Sequence, residues 1–141
     1  MTEYVDGRNF DLNDKSILDM GSGTGVLSIV ASKNGAKQVV GIDIDEWAFQ
    51  NSIDNANLNN TKNVSFLHGD INLIENQNFD IILANINRNI IEKDIEDYYN
   101  LLSNKGGLLI SGFLEEDVDF IINLSINNSF NVINKKNKGQ W

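Results

Sequence analysis

Ile17-Leu18-Asp19-Met20-Gly21-Ser22-Gly23-Thr24-Gly25 is a short apolar run that breaks into alternating glycines, and an apolar helical pattern follows from Val26. A strand, a ligand loop and a helix N-terminus are written this way in sequence. Glycine reaches backbone conformations closed to other residues and lets a ligand lie against bare main chain. Gly21, Gly23 and Gly25 therefore make a loop suited to holding a ligand.

Spacing narrows what the loop holds. The dinucleotide fingerprint is G-x-G-x-x-G, whose third glycine packs the helix on the strand. Here that position is Val26, the third glycine has moved to Gly25, and Asp19 stands two places before the first. This D-x-G-x-G-x-G form resembles the first motif of the S-adenosylmethionine-dependent methyltransferases with a Rossmann-like fold. A nicotinamide or flavin binder and a plain structural turn are the competing readings. After a helix from Thr24 to Lys33 and a turn at Asn34 and Gly35, a second buried-type strand, Gln38 to Ile42, ends in Asp43. An acid about 20 residues beyond such a loop is placed to accept both ribose hydroxyls of an adenosine-containing ligand. Asp43 is the ribose candidate. Its competing task, capping the next helix, suits Asp45 equally because Asp is a favoured N-cap. With two acids present, Asp45 caps and Asp43 binds.

A chain of 141 residues fits one domain, residues 1–141, and is long enough to bury a core. The net charge of -9 argues against direct nucleic-acid binding, which rests on neutralising phosphates with Lys and Arg. With no cysteine and only His68 for a histidine, disulfides, thiolate metal sites and histidine clusters are excluded, so no metal is expected. No run of about 18 apolar residues occurs, and M-T-E-Y-V-D-G-R-N lacks the parts of a signal peptide. A soluble, cytoplasmic protein without a membrane partner is the default expectation.

Strand and helix patterns alternate with short connections, the mark of a parallel sheet covered on both faces. Expected strands are Ser16 to Met20, Gln38 to Ile42, Val64 to His68, Phe79 to Leu83, Leu108 to Ser111 and Phe130 to Lys135. Expected helices run from Thr24 to Lys33, Glu46 to about Asn59, about Asn89 to Leu102 and Glu115 to Asn127. The class is α/β: a Rossmann-like, doubly wound, mostly parallel sheet of the class I methyltransferase type. Sheets of that class normally finish with a hairpin whose last strand slides between the fifth and sixth. Trp141 falls where that strand should begin, so most of it is expected to be missing. The expectation is a fragment, or a chain whose sheet a partner chain completes, since a bare apolar edge invites pairing.

The segments I-L-D-M-G-S-G-T-G-V-L-S-I, V-V-G-I-D-I-D, F-D-I-I-L-A-N-I, G-G-L-L-I-S-G-F-L and K-G-Q-W, in this order and spacing, resemble one family more narrowly. They look like the catalytic domain of the methyltransferase that modifies large-subunit ribosomal protein eleven, and Asn55 and Asn59 fit the same pattern. The likeness runs from about Lys15 to Trp141. It implies a protein methyltransferase that trimethylates a lysine side chain or an N-terminal amine, with S-adenosylmethionine as donor and a ribosomal protein as substrate. Carried over residue by residue, Asp19, Gly21, Gly23 and Gly25 form the donor loop, with Gly21 at the methionine part. Asp43 holds the ribose, Ile44 packs on the adenine face, and Asp70 and Ile71 hold the adenine edge.

Asn85 is the candidate catalytic residue and also a donor contact. It follows Ala84 at the carboxyl end of a central strand, where open parallel sheets place their ligands. Its amide can accept from a substrate amine and align a lone pair with the transferable methyl. Capping of the following helix, with Asn87 or Asn89, is the competing role. The sequence A-N-I-N-R lacks the proline pair and aromatic usual in enzymes that methylate nucleic acids or glutamine. His68 reads as a strand-end residue with a polar neighbour, Trp47 as a helix-surface or core aromatic, and Asp80 as a structural residue at its strand start. Core packing is the alternative for Ile44 and Ile71. The family also carries an N-terminal substrate-recognising domain and a glycine, histidine and threonine-rich loop that closes over the donor, and neither is expected within these 141 residues. A small-molecule methyltransferase and a non-catalytic donor-binding module are the other functional readings.

Overall fold

The computed structural model describes residues 11–136. Its sheet has five strands, β1 (Ser16–Met20), β2 (Gln38–Asp43), β3 (Val64–His68), β4 (Phe79–Asn85) and β5 (Leu102–Ser111), in the order β3-β2-β1-β4-β5. All four pairings are parallel. Parallel neighbours need crossovers, and the chain supplies helices α1 (Val26–Lys33), α2 (Glu46–Leu58), α3 (Arg88–Leu101) and α4 (Val118–Asn127). Because the order turns around at β1, the carboxyl ends of β1 and β4 open a crevice, the usual ligand position in such sheets.

Strands covered on both faces read as continuous apolar runs rather than alternating ones. Ile17, Leu18, Val39, Ile42 and Ile82 are all essentially buried, and they divide between two clusters on opposite faces. The larger cluster packs Leu18, Ile42 and Ile82 against Ile91, Ile95 and Tyr98 of α3 and Ile121 of α4. The smaller one packs Ile17, Val39 and Ile81 against Ala31 of α1. Asp80 anchors the start of β1, its Oδ2 accepting from the Ser16 backbone N–H at 2.9 Å and hydroxyl at 3.0 Å.

The expected boundaries shift at several ends. Thr24 and Gly25 belong to the loop and α1 starts at Val26, while Glu115–Asp117 forms a separate 3-10 turn ahead of α4. β5 begins at Leu102, six residues earlier than the apolar run indicates. Its register jumps from Phe79↔Leu102 to Ile81↔Gly107, and the excursion between them carries Lys105 at φ +65°.

The sixth strand expected at Phe130 to Lys135 does not form: residues 130–136 carry no regular structure. A strand requires a neighbour on its hydrogen-bonding edge, and among the described residues β5 pairs only with β4. Between the outer edge of β5, α4 and this segment lies a cavity of about 670 Å³, walled by Leu108, Ile110, Ile121, Phe130 and Val132 among others. Among the described residues no further strand lies at that edge, as expected. The closing K-G-Q-W lies outside the described residues, as does the segment before Asp11.

Candidate functional site

The glycine loop follows β1 and is held from two sides. Ser22 N–H donates to Ile42 O at 3.0 Å, and Gly25 N–H donates to Ser22 O at 2.8 Å. Gly21, Gly23 and Gly25 have φ of +66°, +54° and +83°, the left-handed region in which a side chain costs strain. Their surroundings separate them. A methyl group on Gly21 would collide with Ile86, and one on Gly25 would fall 2.8 Å from the Phe66 ring, whereas one on Gly23 would meet nothing within 4 Å. Gly21 and Gly25 are close-packing positions, and Gly23 faces open space.

Asp43, at the tip of β2, reaches this loop directly. Its Oδ2 accepts from Gly23 N–H at 2.7 Å and its Oδ1 from Asp45 N–H at 2.9 Å. A carboxylate has about four lone-pair positions, so two remain for other donors. Capping of α2 falls to Asp45, which accepts from Ala48 N–H at 2.8 Å. Asn55 on α2 braces the loop from the other side, donating to Thr24 O at 2.9 Å.

Asp19 lies beneath the loop rather than in it, with 1% of its surface exposed. Ser28 on α1 donates to its Oδ2 at 2.6 Å, and its Oδ1 has no hydrogen-bond partner among the described residues. Burial pushes the carboxyl up to about 6, against the pull of the Ser28 hydrogen bond. Ser28 fits under the sheet because Gly41 lacks a side chain: a methyl there would lie 3.0 Å from the Ser28 hydroxyl and 2.5 Å from Phe66.

On the other wall of the crevice, Asn85 ends β4 with an exposed side chain. Ser111 donates to its Oδ1 at 3.2 Å, and Ile86 N–H donates to Ser111 O at 3.1 Å. A methyl on Gly112, at φ +83°, would fall 2.6 Å from that same Oδ1, so glycine leaves the room the amide occupies. Asn87 caps α3, accepting from Ile90 N–H at 3.2 Å, so Asn85 is not the cap.

After β3, Asp70 caps the 3-10 turn Ile71–Leu73 by accepting from the Asn72 backbone and side chain at 3.0 and 2.9 Å. Its second oxygen stands 4.0 Å from Lys93 Nζ. Ile71 is buried in the larger core, which leaves its main chain as the part able to meet a ligand. Ile44 is 75% exposed, which removes the core-packing alternative. His68 bonds to Ile44 O at 3.0 Å and stacks on Phe49, the polar-neighbour role expected of it. Trp47 is an exposed residue of α2.

The topology thus brings Gly23, Asp43 and Asn85 to the carboxyl ends of adjacent strands, with Asp70 and Ile44 at the outer rim and Asp19 underneath. Ser28, Gly41 and Ser111 were not singled out from sequence. A lone hydroxyl within the apolar run V-L-S-I-V-A was the available signal for Ser28, and the parallel register Asn85↔Ser111 emerges only on folding. Among the described residues, no group of three or more His, Cys, Asp or Glu side chains could hold a metal ion.

Residues 5–141 match the family model for ribosomal protein L11 methyltransferase (PrmA). The chain belongs to this family. It is 41% identical over 132 residues to the ribosomal protein L11 methyltransferase of Bacteroides thetaiotaomicron, covering 93% of this chain and 47% of that protein. The Porphyromonas gingivalis family member is 45% identical over 114 residues, covering 80% of this chain and 39% of the relative. The crystal structure of ribosomal protein L11 methylase from Lactobacillus delbrueckii subsp. bulgaricus superposes with a TM-score of 0.88 at 28% identity, covering 95% of this chain and 69% of that one. The chain spans about half the length of the curated family members it matches. The crevice at β1 and β4, with its glycine loop, is therefore set in a methyltransferase fold of the class I type.

Proposed function

We propose that this chain is an S-adenosylmethionine-dependent methyltransferase unit whose donor lies across the carboxyl ends of β2, β1 and β4. The observation that carries the reading is the direct bond between Asp43 and Gly23, which joins the acid to the one loop glycine that faces open space. A bare main-chain turn and a carboxylate with acceptor capacity to spare are what an adenosyl group requires. The N-terminus of α1 adds backbone N–H groups that no side chain caps, which suits the carboxylate of the donor's methionine part. Asp70 and the main chain of Ile71 are proposed to meet the adenine edge, and exposed Ile44 its face.

The donor supplies a methyl group already activated by a positively charged sulfur. What remains for the protein is to align an acceptor, and positioning accounts for most of the rate gain in such a displacement. Asn85 accepts from the acceptor amine through Oδ1 and turns its lone pair toward the methyl. An amine with a reference pKa near 10.4 has to lose a proton before it attacks. Membership of the family supports ribosomal protein L11 as the substrate, and the net charge of -9 argues against direct contact with nucleic acid. The acidic balance of the chain favours a basic polypeptide acceptor and a cationic donor.

The test is transfer of labelled methyl from S-adenosylmethionine to ribosomal protein L11. Wild-type chain is expected to label it, and Asn85→Ala to lower the rate about a hundredfold, as loss of one positioned polar contact does. Labelling unaffected by Asn85→Ala would remove the proposed role of that residue. Donor binding without any transfer would identify a binding module instead.

A further inference from the structure

The loops after β4 and β5 flank Asn85, and they are joined at both ends. At the near end Ile86 N–H bonds to Ser111 O and the Ser111 hydroxyl bonds to Asn85. At the far end Arg88, the first residue of α3, meets Asp117, the last residue of the 3-10 turn before α4, with Nη1 2.8 Å from Oδ1. The same guanidinium lies over the Phe120 ring, 3.8 Å from its centroid. Phe120 itself packs on the larger core.

We propose that Arg88 is a positioning residue that locks the Asn85 amide by clamping the loop after β4 to the loop after β5. The proposal rests on the donor-site reading given above. Three features of the geometry support it. Arg88 grips two partners at once, Asp117 at the junction of the 3-10 turn with α4 and Phe120 in the first turn of α4 against the core. Its planar guanidinium bonds edge-on and stacks face-on at once, which a lysine ammonium cannot reproduce. The Asp117 side chain is 15% exposed against 41% for Arg88, so the carboxylate end of the pair is shielded from solvent screening. With the far end released, Gly112 and Ser111 are no longer pressed against Asn85, and the amide regains rotational freedom.

Two donor analogues separate positioning from general stability. S-adenosylhomocysteine lacks the transferred methyl, while sinefungin carries an amine at that point, which the donor-site reading turns toward Asn85 Oδ1. Calorimetric titration of the full chain with each is expected to show Asn85→Ala weakening sinefungin about tenfold more than S-adenosylhomocysteine, the size of one hydrogen bond to a charged group. Arg88→Ala is expected to reproduce a selective loss of about fivefold to tenfold. Adding Arg88→Ala to Asn85→Ala is expected to cost nothing further, since the two act through one group. Asp117→Ala, which removes the clamp's acceptor from the other side, is expected to give the same selective loss, and Arg88→Lys an intermediate one. If Arg88→Ala fails to fold, Asp117→Ala answers the same question. Equal weakening of both analogues, no weakening of either, or an effect that adds in full to Asn85→Ala would overturn the clamp alone. A wild-type chain that binds neither analogue would overturn the donor-site reading and the clamp together.

Discussion

Asp19→Asn tests whether the acid before the glycine loop is a buried structural carboxyl. In the native protein burial holds this group at about 6, against 3.8 for an ordinary aspartate. Between those values the folded chain keeps a proton that the unfolded chain has released, so stability falls as pH rises from about 4 to about 6. The interval corresponds to about 3 kcal/mol of stability, fully present below 3.8, where both states are protonated, and lost as pH rises through about 6. Asparagine keeps the shape and an acceptor for Ser28 but does not titrate. Urea unfolding followed by circular dichroism at pH 4, 5, 6 and 7 on both proteins would give the difference profile, in which other titrating groups cancel. Wild type is expected to lose about 3 kcal/mol relative to the variant across that range. A flat difference, or one that rises with pH, would refute the buried-carboxyl argument.

Gly23→Ala is expected to fold, losing about 1–2 kcal/mol from the left-handed backbone alone, while weakening S-adenosylhomocysteine about tenfold or more by entering the ligand's space. Thermal unfolding and titration of the same sample check both, and intact binding would show that the loop's open side is not the ligand's side. Tyr98→Phe is expected to leave stability unchanged or raise it by about 1 kcal/mol, because the buried hydroxyl has no partner among the described residues. A loss above about 1 kcal/mol in urea unfolding would reveal a partner for that hydroxyl.

Strand positions were legible where a strand is covered on both faces. The apolar runs at Ile17 and Ile81 announce their strands because a ribbon buried on both faces is apolar at nearly every position, with buried Asp19 the polar break in the run from Ile17. β5 was legible only in its second half, since the excursion from Ser103 to Gly106 between its two halves breaks the run. Phe130 to Lys135 has the composition of a strand, but composition cannot supply the neighbouring edge that makes one.

In the candidate site, residues whose position is set by chain order were visible: the loop glycines, Asp43 at the next strand tip and Asn85 at the end of β4. Residues whose role depends on what crosses above them were not. α1 buries Ser28 and leaves Val26 and Val30 exposed, the reverse of what polarity suggests, because Asp19 and the gap at Gly41 call for a small hydroxyl there. Ser111 and Arg88 acquire their meaning from the β4 and β5 register and from the start of α4.

The most direct measurement is calorimetric titration of the chain with S-adenosylmethionine and, separately, with NAD, repeated on Asp43→Ala with circular dichroism to verify folding. Wild type is expected to bind S-adenosylmethionine and not NAD, and the folded variant to lose that binding. A wild-type chain that prefers NAD, or a variant that binds S-adenosylmethionine undiminished, would contradict the assignment of the glycine loop and Asp43 to the adenosyl donor.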